Sequence, residues 1–510
     1  MYRIYYKQGW RNMSRYKKEE FNRDQINFIP ESYDDKISKD NPVRVIDVLI
    51  DSLDMQELNF THAQTKKIGR KPYDPKDMCK LYVYGYFEGI RSSRKLEREC
   101  KRNVEVMWLI NNLKPDFKTI ADFRKDNLEP LNNLFKQFSM LCKELGLYGK
   151  EIVAIDGSKF RANNSRRKNY TKRKVKKQIS HFQESARKYL ELLEKSDHAE
   201  SEETVELTPE EIQEKIDNAQ KRIEELTQLE KQIEEEGEVS ITDPDAKHMS
   251  VSNNGTDISH NVQIAVDSKH NLVVSLDVIS SPADQGQLHS MASKAKEELG
   301  VEEIITLADK GYYTGEDLQK CEEDNITTIV ARQKSPSNNG NEEYSRDKFK
   351  YSKEDNTFTC PQGNKLKCVS KKESKVKRYK NFEACKTCPS HKKCTKSERG
   401  RVITTGEYEE VYRRADKRYA ENTELYKQRQ MIVEPVFGTV KRALGFSYFL
   451  LRGNEKVKAE SSMHFFVYNL KRVINIIGAK ALIEYFKARI FDYFYLITKK
   501  RVKILKISGF

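Results

Sequence analysis

The sequence predicts a mixed α/β protein: a mixed sheet with helices packed on it, preceded by a helical domain and interrupted by a helical hairpin and a cysteine-rich stretch. Three observations predict it. Through residues 151–345 apolar runs and helical periods follow in the order strand, hairpin, helix, strand, helix, strand. Residues 41–150 carry helical patterns only. Residues 176–236 carry two apolar stripes at alternating spacings of three and four, the pattern of two helices packed side by side.

Taken in order, residues 1–40 are polar without a sustained period and read as an arm. In 41–150, Val43, Val45, Ile46, Val48 and Leu49 open one apolar helical face. Asp74-Pro75 is a helix-start pair, and "SSRKLERECKRNVEVMWLI" and "TIADFRKDNLEPLNNLFKQFSMLCKEL" read as further helices. DNA contact and a plain scaffold are both open readings of this domain. Ile152–Ile155 then read as a buried strand with Asp156 at its end, followed by Gly157. On its own, Asp-Gly reads as a turn. The basic run from Lys159 to Lys177 holds no acid and includes Arg161, Arg166, Arg167, Lys172, Arg173 and Lys174.

The hairpin follows. Its first stripe is Ile179, Phe182, Ala186, Tyr189 and Leu193, and its second is Ile212, Ile216, Ala219, Ile223 and Leu226, with an acidic loop between them. Thr208, Pro209 and Glu211 supply a capping box with proline at the first helical position. Two apolar runs, Val262–Val266 and Leu272–Val278, then make a β-hairpin. Beyond a helix, Ile304–Leu307 reads as a strand ending near Asp309, and "ITTIVAR" as the last strand of this part. Residues 346–400 form the cysteine-rich insertion, 401–475 the last part of the core, and 476–510 a tail with no functional account.

The net charge is +15 and the pI about 9.1, which favours a polyanionic partner. No uncharged apolar run approaches the roughly 18 residues of a membrane span. The late segment "ALIEYFKARIFDYFYLITKK" is broken by Lys487, Arg489 and Asp492, and the N-terminus has no signal-peptide pattern. A cytoplasmic protein without membrane association is expected. Nine cysteines in such a chain argue for thiols or metal rather than disulfides.

Asp156 and Asp309 share a grammar. Each ends a predicted strand and is followed closely by glycine and lysine. Carboxylates at the ends of neighbouring strands converge and repel unless protonated or bridged by a cation, and Mg²⁺ suits such oxygen ligands. A third acid is Glu434, on a predicted helix beside Ile432, Val433, Val436 and Phe437, where Pro435 favours a kink or a helix start. Tyr426, Arg429 and Lys441 surround it at helical distances.

"AIDGSKF", "TLADKGYY" and "VEPVFGTVK" resemble the three signatures of a bacterial insertion-sequence transposase of the DDE type, and within it insertion-sequence family number 1182. "SSRKLEREC", "TIADFRKDN", "ITDPDAKHM", "HNVQIAVD" and the cysteine cluster are similar to that family too, so the resemblance covers roughly residues 25–475. It implies a ribonuclease-H-like core with an N-terminal helical domain and a zinc-ribbon-like insertion. It implies that Asp156, Asp309 and Glu434 are catalytic and hold two Mg²⁺ (or Mn²⁺) ions. It also implies that double-stranded DNA, as element ends and target, is cut and joined by a homodimer that is nucleoid-associated when bound. The basic run, which begins three residues after Asp156, reads as tracking that DNA through Lys159, Arg161, Arg166, Arg167, Lys172, Arg173 and Lys174, the alternative being a solvated arm. Tyr426, Arg429 and Lys441 would contact it near the acids. The Tyr-Arg-Glu-Lys spacing departs from the family at one point: the gap from Arg429 to Glu434 is one residue longer than usual. A nuclease with the same core, or an inactive DNA-binding descendant, are the alternatives.

Cys360, Cys368, Cys385, Cys388 and Cys394 lie together, with a C-x-x-C half-site at Cys385 and Cys388. Four thiolates close a structural zinc site, so five candidates are one too many. The resemblance favours Cys360, Cys385, Cys388 and Cys394. On spacing alone, Cys368 can replace Cys394.

Overall fold

The chain, seen in a computed structural model, is described over residues 32–64, 71–198, 208–251, 255–333, 341–371 and 375–491. Most of the expected N-terminal arm, the acidic loop of the hairpin and the end of the tail lie outside the described residues.

Side-chain caps set the helix starts. Asn41 accepts from the Val43 N–H with Pro42 behind it, which opens α1 (Pro42–Asp51), and Asp74 with Pro75 opens α2 (Pro75–Phe87) in the same way. α3 (Ser93–Arg102), α4 (Val104–Leu109), α5 (Phe117–Asp126) and α6 (Leu128–Glu144) complete the helical N-terminal region.

The central sheet begins with β1 (Ile152–Arg161). Next come β2 (Asn169–Thr171), α7 (Lys172–His198), α8 (Pro209–Glu236) and β3 (Glu238–Ser240). Because β2 and β3 pair antiparallel, the two long helices leave the sheet from one narrow neck. The capping box at Thr208 and Glu211 is formed, and Val175, Leu226 and Ile233 pack with Tyr170 at the base. β4 (Lys247–Val251), β5 (Gly255–Asp267), β6 (Leu272–Ile279), α9 (Leu288–Leu299), β7 (Ile304–Ala308), α10 (Gly315–Glu323) and β8 (Ile326–Val330) follow. The strand order is β4-β5-β1-β7-β8, with β6 also on β5. β1, β5 and β6 are antiparallel neighbours, whereas β1, β7 and β8 are parallel. The sheet is therefore mixed, as the sequence predicts.

One boundary differs from the expectation. β1 does not end at Asp156 but runs on to Arg161, because its antiparallel partner β5 stays paired with it from Val153↔Asp267 to Arg161↔Ser259. Only the parallel pairing stops early, at Ile155↔Ala308.

A second, smaller sheet is built from β9 (Lys350–Ser352), β10 (Thr357–Thr359), β11 (Lys365–Cys368), β12 (Lys377–Lys380) and β13 (Val402–Thr405). Between its last two strands lie the short helices α11 (Phe382–Lys386) and α12 (His391–Cys394). Its buried core is Phe349, Phe358, Leu366, Tyr379 and Ile403. The chain then forms α13 (Glu409–Glu421), α14 (Thr423–Gly438), a π turn over Thr439–Ala443 and α15 (Asn454–Ile477).

α15 is buried on nearly all sides, between the sheet and the N-terminal helices. Phe138 meets Phe466 edge-on, Tyr86 meets His464, and Arg91 reaches the buried Glu460. One continuous hydrophobic core therefore runs from α1 to the sheet. No described helix is long and apolar enough to cross a membrane.

Pro435 does not start a helix but lies inside α14. A proline lacks the N–H that would bond the carbonyl four residues earlier. Here that carbonyl belongs to Met431, and it accepts instead from Asn271 Nδ2 at 3.2 Å, in the turn between β5 and β6. The helix is thus bonded to the sheet where a proline would otherwise leave an orphan acceptor.

Candidate active site

Parallel register brings the two aspartates together. Ile155 and Ala308 are the last paired residues of β1 and β7, so Asp156 and Asp309 are the next step on each strand. Asp156 is partly shielded and Asp309 more open, with side chains 25% and 43% exposed. Burial pushes the Asp156 carboxyl up to about 6, and the neighbouring Asp309 and Asp284 add to it. Arg429 and the Gly157 N–H act in the opposite direction.

The guanidinium of Arg429, buried on α14, spans the pair. Its Nη1 is 3.7 Å from Asp156 Oδ2 and its Nη2 3.7 Å from Asp309 Oδ1. A cation thus already stands between the two carboxylates, which is what like charges at this spacing require. Tyr426, one turn earlier, lies with its ring 5.9 Å from the Arg429 guanidinium. Glu434 is on the same helix but exposed. The extra residue between Arg429 and Glu434 supplies the reason: five residues are about 140° around a helix, whereas four are about 40°. Among the described residues, no three His, Cys, Asp or Glu side chains are grouped so as to hold a metal ion.

Lys441 donates to Ser158 Oγ at 2.7 Å and to the Lys159 carbonyl at 2.9 Å, above the Phe160 ring. Burial lowers its ammonium to about 8, with Lys159 adding to the effect. Lys159 itself points to the opposite face of β1 from Asp156, since side chains alternate along a strand. There it pairs with Asp284 at 3.0 Å. Arg161 and Arg166 both pair with Asp257, at 3.2 and 3.0 Å, and Lys172 pairs with Glu234 at 3.2 Å. Lys174 donates to the carbonyls of Arg166, Arg167 and Asn169, so it clamps its own loop. Arg167 and Arg173 are exposed.

In the smaller sheet, Cys360, Cys385, Cys388 and Cys394 line one cavity with His391. Burial raises the Cys394 thiol, and the thiols of Cys385, Cys360 and Cys388 raise it further. His391 Nε2 is buried with no hydrogen-bond partner. Cys368, on β11, is not among the residues lining that cavity; like Cys360 and Cys394 it packs against the small core, near Tyr379.

Sequence reasoning missed Asp284, Asn261, Gln263 and Tyr312, which cluster beneath Gly157. Asn261, Gln263 and Tyr312 stand inside the quoted motifs "HNVQIAVD" and "TLADKGYY", and Asp284 has no sequence signal beyond the glycines that follow the two acids.

Two family models match the chain. One, described as "Transposase domain (DUF772)", matches residues 31–126, and the other, described as "Transposase DDE domain", matches residues 359–474. The first covers most of the N-terminal helices. The second covers the cysteine cluster, Arg429, Glu434 and Lys441, and leaves Asp156 and Asp309 outside. Together they support a DDE-type transposase, a polynucleotidyl transferase with DNA as partner and divalent metal in general use. Neither a curated protein nor a solved structure matches the chain.

Proposed function

We propose that this chain is a DNA transposase of the insertion-sequence type, related to family number 1182, with a ribonuclease-H-like core whose catalytic acids are Asp156, Asp309 and Glu434. The observation that carries the reading is the Asp156–Arg429–Asp309 bridge: two carboxylates at adjacent parallel strands face a cation on the helix that also bears Glu434. The strand order, three antiparallel neighbours joined to two parallel ones, supports the core.

Asp156 and Asp309 would hold magnesium or manganese, which would supply the Lewis acidity that activates the attacking oxygen and stabilises the leaving one. Glu434, on the solvent side of α14 as seen, would have to turn inward to join them. The residues of this chain do the rest. β1 and β7 hold Asp156 and Asp309 side by side, and Lys441 anchors the π turn to β1 beside them. Arg429 neutralises the acids and presents charge for a phosphate. In the first reaction water attacks a phosphorus atom and a 3′-oxygen leaves. In the second that 3′-hydroxyl attacks a target phosphodiester and a new strand end leaves. Zinc would suit the chemistry of Cys360, Cys385, Cys388 and Cys394, whose thiols line one cavity, and it would have to draw them together, since no three of them are grouped as a metal site.

The test uses the full chain, Mg²⁺, duplexes carrying the flanking element ends and a supercoiled target. Joined products are expected. Hydrolysis without joining would indicate a nuclease, and binding without cleavage an inactive descendant.

A further inference from the structure

The glycines after the two acids close on one carboxylate. A Cβ at Gly157 would stand 2.7 Å from Asp284 Oδ1 and 3.0 Å from Asn261 Oδ1, and would collide with Gln263 Nε2. One at Gly311 would stand 3.8 Å from Asp284 Oδ2. Asp284 lies between β6 and α9, more than a hundred residues from Asp156 in the chain.

Its carboxylate is saturated by donors from two strands. Asn261 Nδ2 donates at 2.7 Å, Gln263 Nε2 at 2.8 Å, and Lys159 Nζ at 3.0 and 3.2 Å. Asn261 and Gln263 are fully buried, and they face Lys159 and Gly157 in the β1–β5 register. The chain of bonds goes on: the Tyr312 hydroxyl donates to Gln263 Oε1, and Tyr312 belongs to the turn that begins at Asp309. One network therefore holds the backbone on both sides of the candidate site. It lies under the strand face opposite the one that carries the Asp156 side chain.

We propose that Asp284 is a positioning residue: it ties β1, β5 and the turn after β7 into one polar knot that fixes where Asp156 and Asp309 stand relative to each other. The inference rests on the reading of those two acids as cation ligands. Groups behind metal ligands govern their orientation, and losing one costs about 10–100-fold in metal affinity. Gly157 follows from the same geometry, since any side chain there would displace the knot, whereas a Cβ at Gly311 would meet Asp284 at an ordinary contact distance.

The test is a Mn²⁺ titration of the full chain without DNA, read by loss of the free-ion resonance signal, for the wild type, Asp156→Asn and Asp284→Asn. Thermal melting and duplex DNA affinity are read beside it. At a temperature where it is fully folded, Asp284→Asn is expected to weaken Mn²⁺ binding about 10–100-fold, with DNA affinity close to wild type. A merely structural role would lower the melting temperature and leave the affinity of the folded molecules unchanged. Wild-type binding that Asp156→Asn weakens and Asp284→Asn does not overturns the proposal alone. No binding by the wild type, or binding indifferent to Asp156→Asn, overturns both the proposal and the reading beneath it. Should Asp284→Asn fail to fold, Gly157→Ala crowds the same knot from β1. The same loss of Mn²⁺ affinity is expected there, and unchanged affinity overturns the proposal.

Discussion

The two sheets hold their functional side chains by opposite means. In the central sheet the acids stand on a large continuous core and are set by register and by polar contacts from distant parts of the chain. In the small sheet four cysteines surround a cavity beside a core of five residues. The first can lose a functional side chain and keep its fold, because apolar burial supplies the stability. The second has too little apolar surface to rely on burial alone, as small units generally do. In one sheet the candidate site is carried by the fold, and in the other a bound metal would help to make it.

The largest effect expected from this contrast lies in the small sheet. Structural zinc contributes on the order of 10 kcal/mol of binding free energy. Cys385→Ser is expected to lose the metal and the hydrogen-exchange protection of β9–β13, with the central sheet still protected. Cys368→Ser is expected to keep both. Elemental analysis with exchange mass spectrometry checks this, and equal behaviour of the two variants would remove Cys385 from the ligand set.

In the central sheet the expected loss is in rate. Several kcal/mol of transition-state stabilisation correspond to about 10²–10³-fold. Asp156→Asn, Asp309→Asn and Glu434→Gln are each expected to lose that much Mg²⁺-dependent cleavage, with melting temperature and DNA affinity little changed. Wild-type cleavage by any one of them would remove that residue from the catalytic set.

A smaller effect concerns the basic run beside β1. Exchanging the exposed Arg167 and Arg173 for glutamine should reduce the slope of log affinity against log salt by roughly 0.9 for each phosphate no longer neutralised. Lys174 already serves three carbonyls, so its exchange should act on folding instead. Fluorescence polarisation across a salt series, beside melting curves, separates the two. An unchanged slope would make the run a solvated arm.

The smallest effect is a pH dependence of stability. The Asp156 carboxyl, pushed up to about 6 by burial from its ordinary 3.8, binds a proton more tightly in the folded state. Its contribution is fully present below about 3.8 and is lost as pH rises through about 6. Without metal, the wild type should therefore lose stability relative to Asp156→Asn across that window. Urea midpoints in chelator at pH 4.5 and 7 measure it, and parallel curves would mean that the carboxyl titrates normally.

Local signals are legible in the sequence and register is not. The caps at Asn41, Asp74 and Thr208, the apolar runs of β6 and β7 and the spacing of the cysteines are each written within a few residues. Asp156 reads as a strand end because the apolar run stops there, while the strand continues on the strength of β5, a hundred residues away. Pro435 reads as a kink or a helix start, and the residue that donates to the carbonyl it leaves free, Asn271, is remote in the chain. Asp284 is invisible in the sequence for the same reason: its partners meet only when β1 and β5 pair.

The buried side chains of Ile432, Val433, Val436 and Phe437 fix the phase of α14, with the Asn271–Met431 bond beside them. With Arg429 turned inward on the two aspartates, Glu434 lies about 140° around the axis, on the solvent side. Those apolar side chains lie in the core, so turning α14 to bring Glu434 round would expose that apolar face as well as break the bond from Asn271.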